Sequence, residues 1–281
     1  MEYEFKIEYN GQTLDFANGF TIQEISGLDN PEIRISRDEL TGLDGGNIWA
    51  RLYGMLGMAI TGNIFGTDVD NFFERKKDLI RAFNKDSDAW FTVTLWNGQS
   101  RRIRAKSVIR PVFSIKPGEV TNTTFRLEVV AEDPYWRDTS EQEYTATLAQ
   151  DSGLEIPFEL PAILAQADTS NIITIESEGD GYVYPYIKIT GNVNNPRVVN
   201  ITTGEEFSID YTIPTGEYVE MYVDTEGKRV LLNGSEKFWD KLEGNFIRIA
   251  EGTNQIQFSA DTYSAEALLL IRFSNKYESI Q

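Results

Sequence analysis

Leu56-Gly-Met-Ala-Ile-Thr-Gly-Asn-Ile-Phe-Gly66 alternates throughout: Leu56, Met58, Ile60, Gly62 and Ile64 share one parity, and small or polar residues mostly fill the other. A period of two belongs to a β-strand with one buried face, because successive side chains point to opposite sides of a sheet. A helix would place its apolar residues three and four apart. The stretch is therefore read as a long central strand. Its glycines, Gly57, Gly62 and Gly66 with Gly54 just ahead, mark places where a second backbone comes close or the strand bulges.

The residues on the N-terminal side extend this reading. Phe5, Ile7 and Tyr9 alternate before Asn10-Gly11, a dipeptide whose tolerance of positive φ favours a tight turn, so the chain starts with a hairpin. Thr41-Gly-Leu-Asp-Gly-Gly-Asn47 reads as a loop able to carry a flexible arm. Trp49, Tyr53 and Met55 lie on the opposite parity from the Leu56 stripe. If the strand runs on unbroken through them, they point away from the core, towards either a subunit interface or a second packed layer.

On the C-terminal side the period changes from two to that of a helix. Thr67 or Asp68 supplies a cap, and Val69, Phe72, Phe73, Leu79, Ile80 and Phe83 follow at helical spacing, with charged residues largely opposite. Asn84 suits the helix end. Asp68-x-Asp70 looks like the start of a calcium loop but lacks the glycine and the terminal glutamate; favouring the helix N-terminus is the simpler role. Strands resume over Trp90–Trp96, turn at Asn97-Gly98 and return over Arg101–Arg110, and Phe125, Leu127 and Val129 form another. Arg102, Arg104, Lys106 and Arg110 share one face of the returning strand. They form either a cationic surface for an acidic neighbouring subunit or a solvated face paired with residues such as Arg126 and Glu128.

Residues 137–155 are polar, and Pro157 and Pro161 interrupt pairing, so the expected division is 1–137, a linker at 138–160, and 161–281. The second part reads as strands at Ile172–Ile175, Tyr184–Ile189, Val219–Val223, Val230–Leu232, Phe246–Ile249, Ile256–Phe258 and Leu268–Phe273. Frequent turns such as Glu226-Gly227 and Asn233-Gly234 argue for a β-sandwich or barrel. The fold class is mainly β, in two domains, with one helix in the first.

Composition narrows the function. The 281 residues include no cysteine and no histidine, which removes disulfides, thiolate metal sites and histidine-based acid–base or nucleophile systems. No catalytic, cofactor-binding or metal-binding residue is assigned, and no cofactor is expected. The net charge of −18 is concentrated in residues 141–281, which hold 9 basic and 23 acidic side chains. Such a surface repels a phosphate backbone, so nucleic-acid binding is not expected. The first residues have neither the basic start nor the apolar run of a secretory signal, and no stretch has the length of a membrane span. Glu176, Glu178, Asp180, Glu205 and Glu206 are weighed as a glycosidase carboxylate pair and read as surface acids. Trp239 is read either as a sugar-stacking platform or as a buried end-plug of the sandwich.

In their order and spacing these segments resemble the distal tail protein family of long, non-contractile phage tails. The resemblance rests on the extended loop, the Leu56–Gly66 strand, the single helix from Asp68 to Phe83 and Asp133-Pro-Tyr-Trp136 in the first part. In the second it rests on Tyr184-Pro-Tyr-Ile-Lys-Ile-Thr-Gly191, Pro196–Asn200 with Thr202-Thr-Gly204, and Glu251-Gly-Thr-Asn-Gln-Ile-Gln-Phe258. It implies an N-terminal β-sandwich or barrel-like ring-forming domain and a galectin-like C-terminal β-sandwich. It also implies a homo-hexameric ring in the virion tail, made in the host cytoplasm, that joins the tail tube to the tail-tip or baseplate hub without enzymatic activity. Trp49, Tyr53, Met55, Arg102, Arg104 and Lys106 are the subunit-interface candidates. A carbohydrate-binding adhesin is the alternative, although galectin-type sugar binding depends on a histidine that this chain lacks.

Overall fold

The computed structural model describes residues 4–39, 44–85, 88–114, 118, 120–148, 171–224 and 226–280. Residues 41–43 of the expected arm loop and most of the expected linker, with Pro157 and Pro161, lie outside the described residues. The chain divides into two compact units, residues 1–139 with 277–281 and residues 140–276.

In the first unit the strands are β1 (Glu4–Tyr9), β2 (Gln12–Asp15), β3 (Phe20–Ser26), β4 (Ile33–Glu39), β5 (Gly46–Tyr53) and β6 (Leu56–Phe65). After the helix α1 (Val69–Ala82) come β7 (Asp88–Thr94), β8 (Ser100–Ser107), β9 (Val112–Ser114), β10 (Asn122–Ala131) and β11 (Trp136–Asp138). The main sheet runs β2-β1-β7-β8-β10-β6-β3. β1 and β2 form the expected hairpin, with Tyr9 opposite Gln12 and both Asn10 and Gly11 at positive φ. β6 lies between β10 and β3, and its stripe of Leu56, Met58, Ile60 and Ile64 is buried as its alternation requires. The core joins that stripe to Phe5, Ile7, Phe91, Phe125, Leu127 and Trp136.

Helix α1 packs against both β6 and β2, which stand towards opposite ends of the sheet, so the sheet curls around a core that the helix helps to close. Asp68 is the cap: its carboxylate accepts a hydrogen bond from Asn71 N at 2.8 Å. The helix ends at Phe83 rather than Asn84. The expected stripe divides in two. Phe72, Leu79 and Phe83 are buried with Ala82, whereas Val69, Phe73 and Ile80 are exposed. At about 100° per residue the second set is turned roughly 60–100° from the first, too far to reach the same core.

The second unit contains β12 (Gln142–Thr147), β13 (Ile172–Ser177), β14 (Tyr186–Thr190), β15 (Val193–Asn194), β16 (Arg197–Asn200), β17 (Glu205–Ile209), β18 (Thr212–Ile213) and β19 (Tyr218–Asp224). It continues with β20 (Gly227–Leu232), β21 (Glu236–Lys237), β22 (Leu242–Gly244), β23 (Gly252–Ser259), β24 (Thr262–Tyr263) and β25 (Leu268–Phe273). One sheet runs β12-β25-β14-β19-β20-β21 and another β13-β23-β16-β17-β22. Ile187, Val219, Leu269 and Ile271 of the first share one core with Ile175, Val198, Phe207 and Phe258 of the second, which makes a β-sandwich.

Three segments differ from the sequence reading. Residues 142–147, expected in the linker, form β12 in full register with β25. Tyr277 and Ile280 return to the first unit and are buried in its core. Phe246–Ile249, expected as a strand, makes a single bridge, between Ile249 and Val183. Side chains take up its neighbouring backbone groups: Asn200 Nδ2 donates to Arg248 O at 2.6 Å, Arg248 N donates to the Glu205 carboxylate at 2.8 Å, and Ala250 N donates to Asn254 Oδ1 at 3.0 Å. Asn200 and Asn254 are fully buried and bonded to each other, which explains the asparagines in the two quoted C-terminal motifs.

Candidate assembly surfaces

Strands β4 and β5 pair with each other and, among the described residues, with no other strand. The parity expectation for Trp49, Tyr53 and Met55 assumed one continuous strand. The chain instead breaks at Gly54-Met55, and Trp49 and Tyr53 belong to this separate hairpin. All its side chains are exposed apart from the half-buried Ala50. A two-stranded hairpin is at best marginally stable in water by itself. This one nevertheless presents Ile33, Ile35, Ile48 (60% exposed), Trp49 (69%) and Leu52 (61%) to solvent.

Register explains how the hairpin carries apolar groups on both faces. Ile33 pairs with Tyr53 and Ile35 with Arg51, while Arg34 pairs with Leu52. The ladder then slips between Ser36 and Arg37, so that Ser36 faces Ala50 and Arg37 faces Ile48. Trp49 is the extra residue of that bulge, and its Nε1 donates to Asp38 at 2.8 Å, across the hairpin. Ile33, Ile35, Ile48 and Leu52 were not among the sequence candidates, although the alternation of Ile33-Arg-Ile-Ser was available to find them.

At the root of the arm, the Tyr53 ring stands edge-on to Tyr135 with centroids 6.1 Å apart, and its hydroxyl donates to Glu278 at 3.2 Å. The charge of Glu278 holds the phenol above its ordinary pKa. Met55 is exposed and lines an open cleft of about 700 Å³ with Pro31, Ile33, Gly57 and Val130.

On β8, which ends at Ser107 short of the expected Arg110, Arg102, Arg104 and Lys106 share one face and meet partners within the unit, while Arg101 is buried on the other face. The Arg102 guanidinium lies 4.5 Å from the Trp90 ring centroid, Arg104 engages both carboxylate oxygens of Asp88, and Lys106 Nζ is 2.7 Å from Glu132. Arg126 and Glu128, expected as partners of this face, pair with each other at 2.7 Å. The structure thus places Tyr53 and Met55 at the base of the arm, Trp49 on it, and Arg102, Arg104 and Lys106 on the main sheet, Arg104 and Lys106 in local ion pairs and Arg102 against the Trp90 ring with its Nε buried and without a hydrogen-bond partner.

In the second unit Glu205, Glu206 and Glu176 of the weighed carboxylates are engaged in structural bonds. Glu205 pairs with Arg248, Glu206 with Arg197, and Glu176 accepts from the Thr253 hydroxyl at 2.9 Å. Trp239 is not the buried plug: it sits in a short 3-10 turn, 43% exposed, with its ring 5.7 Å from that of buried Phe246.

By fold the chain is two β-built units, one with a separate two-stranded hairpin and the other a two-sheet sandwich. Among solved structures, the Dit protein (gp 19.1) of SPP1, described as a paradigm of the hub adsorption apparatus in phages that infect Gram-positive bacteria, aligns with a TM-score of 0.66 at 14% identity. The alignment covers 97% of this chain and 98% of that one. The phage P2 baseplate in its activated conformation with Ca aligns with a TM-score of 0.57 at 11% identity over 100% of both chains. The p2 baseplate with Sr aligns at 0.51 and 11%, over 97% of this chain and 98% of that one. At these identities the likeness is one of fold. Residues 178–277 match the family model of the siphovirus-type tail component, C-terminal domain. The resemblance to the phage distal tail protein family is borne out by that match together with the fold. No curated protein sequence matches the chain.

Proposed function

We propose that this chain is the subunit of a homo-hexameric ring at the distal end of a phage tail, joining the tail tube to the tail-tip or baseplate hub and performing no chemistry. The observation that carries this reading is the β4–β5 arm, whose exposed isoleucines, leucine and tryptophan have no partner surface among the described residues of its own unit. A monomer gains nothing from solvating them, whereas a neighbouring subunit would bury them. Repetition of one heterologous contact closes a ring, and each contact adds to the rigidity of the next. Trp49, Tyr53 and Met55 belong to this contact, with Ile48 and Leu52 at its centre. Arg104 and Lys106, already ion-paired, and Arg102 belong to its rim, where charge sets orientation more than affinity.

The test is the oligomeric state of the purified chain, alone and with its tail tube and hub proteins, by light scattering and electron microscopy. Six-membered rings are expected, and a variant carrying Ile48→Asp and Leu52→Asp is expected to stay monomeric with an unchanged circular dichroism spectrum. Monomers under every condition, or rings unaffected by that variant, would overturn the reading.

A further inference from the structure

A row of aromatic rings crosses one region of the second unit, and the ring-forming role gives it nothing to do. It begins at Tyr182, 54% exposed, whose ring meets Tyr184 edge-on at 5.8 Å. Lys228 continues it, with its ammonium 5.4 Å from the Tyr184 centroid and 5.0 Å from that of Phe246. It ends at Trp239, which leans on Phe246. Beside Tyr182 lies the Arg248 guanidinium, 4.9 Å from the ring centroid and paired with Glu205.

Each part has a rigid support. Val183, between the two tyrosines, is bridged to Ile249 by reciprocal backbone bonds of 2.9 Å, so Tyr182 and Tyr184 are fixed on either side of a buried anchor. Arg248 is held through both its backbone N–H and its guanidinium by the one Glu205 carboxylate. Phe246 is buried and gives Trp239 a fixed floor.

We infer that this row is a carbohydrate-binding platform for a neutral pyranose chain. The apolar faces of pyranose rings stack on Tyr182 and Trp239, and the Arg248–Glu205 pair offers a donor and an acceptor side by side to neighbouring hydroxyls. A protein partner fits less well. The two exposed rings are separated by a half-buried one and a lysine, and they fall far short of the roughly 800 Å² per side that a stable protein interface takes. An anionic chain fits less well too: Arg248 is already neutralised by Glu205, and the surrounding half of the sequence carries 23 acidic against 9 basic side chains. This site is independent of the ring, and the absence of histidine does not bear on it, because no imidazole is asked to act.

The experiment titrates the full chain with hexamers of glucose, N-acetylglucosamine and galactose, and with hexagalacturonate as the anionic arm. The indole N–H resonances of the five tryptophans are followed by NMR. A neutral hexamer is expected to bind saturably and to shift one indole signal, the one that disappears in Trp239→Phe. Tyr182→Ala and Trp239→Ala are each expected to weaken binding at least about tenfold, while Trp96→Ala, at an exposed tryptophan of the other unit, leaves it unchanged. Because the shift is read on the unsubstituted chain and the conservative Trp239→Phe serves only to assign the signal, the result does not depend on either alanine variant folding. No binding up to about 10 mM, a shift at any tryptophan other than Trp239, or preference for hexagalacturonate would overturn the inference.

Discussion

Phe125 stands directly opposite Gly62 in the β6–β10 ladder, and its ring fills the space a side chain at position 62 would occupy: a Cβ there would lie 2.8 Å from the ring Cζ and closer still to the Thr21 carbonyl oxygen. The glycine in the middle of the longest alternating stretch is thus a packing requirement. Gly62→Ala is expected to destabilise the first unit by about 1–3 kcal/mol, because neither backbone nor core ring yields cheaply. Gly57→Ala, on the exposed parity of the same strand with nothing within 4 Å of the added atom, should stay within about 0.5 kcal/mol. Denaturant melts of the two variants make the comparison, and equal effects would contradict this account of the glycine.

The buried asparagine pair of the second unit sets the next expectation. Asn254 bonds to Asn200 and to Ala250 N, Ala250 O and Gly252 O, and is fully enclosed. Asn254→Ala strands those groups without water and should cost on the order of 3 kcal/mol. Backbone amide exchange should rise first at Ala250, whose N–H loses its acceptor.

Helix α1 offers a pH test. Hydrogen bonds to the Asp68 carboxylate, that from Asn71 N foremost, hold its pKa below the ordinary carboxylate value. A lowered folded-state pKa means that the stabilisation is fully present above the unfolded value near 4 and is lost as pH falls through the lower folded value. In Asp68→Asn the cap persists without titrating. The difference in melting temperature between the two proteins should therefore be constant above about pH 5 and shift against the unsubstituted chain at lower pH. A pH-independent difference would show that the carboxylate is not bonded as described.

What was legible in the sequence follows from where the information lies. Strict alternation identified β6 and β10, and Asn10-Gly11 identified the first hairpin, because period and turn chemistry are local. The arm was half visible: its glycine-rich loop could be read, but Trp49 and Tyr53 were attached to the wrong strand, since only pairing partners reveal the break at Gly54 and the bulge at Trp49. Phe246–Ile249 is apolar enough for a strand, yet side chains about fifty residues earlier in the chain take up its neighbouring backbone groups, and no local pattern encodes that. The pairing of Arg104 with Asp88 and Lys106 with Glu132 was equally hidden, because diagonal neighbours on a sheet follow from register and not from parity.

The return of the chain's end to the first unit gives the last prediction. Arg101 is 8% exposed, with its guanidinium 2.9 Å from Asp138 and 3.2 Å from the ring centroid of Tyr277, itself buried. A cation so enclosed needs both neighbours: the carboxylate compensates its charge, and the ring face replaces part of its hydration. Tyr277→Leu should cost about 2–4 kcal/mol, more than the lost apolar contact alone, because Arg101 keeps its charge while losing the ring. In Arg101→Met the same tyrosine substitution should cost less, with a coupling energy of about 1 kcal/mol or more between the two positions. A double-mutant cycle by chemical denaturation measures it. Additive effects would mean that Tyr277 serves only as apolar filling and that the arginine draws its compensation from Asp138 alone.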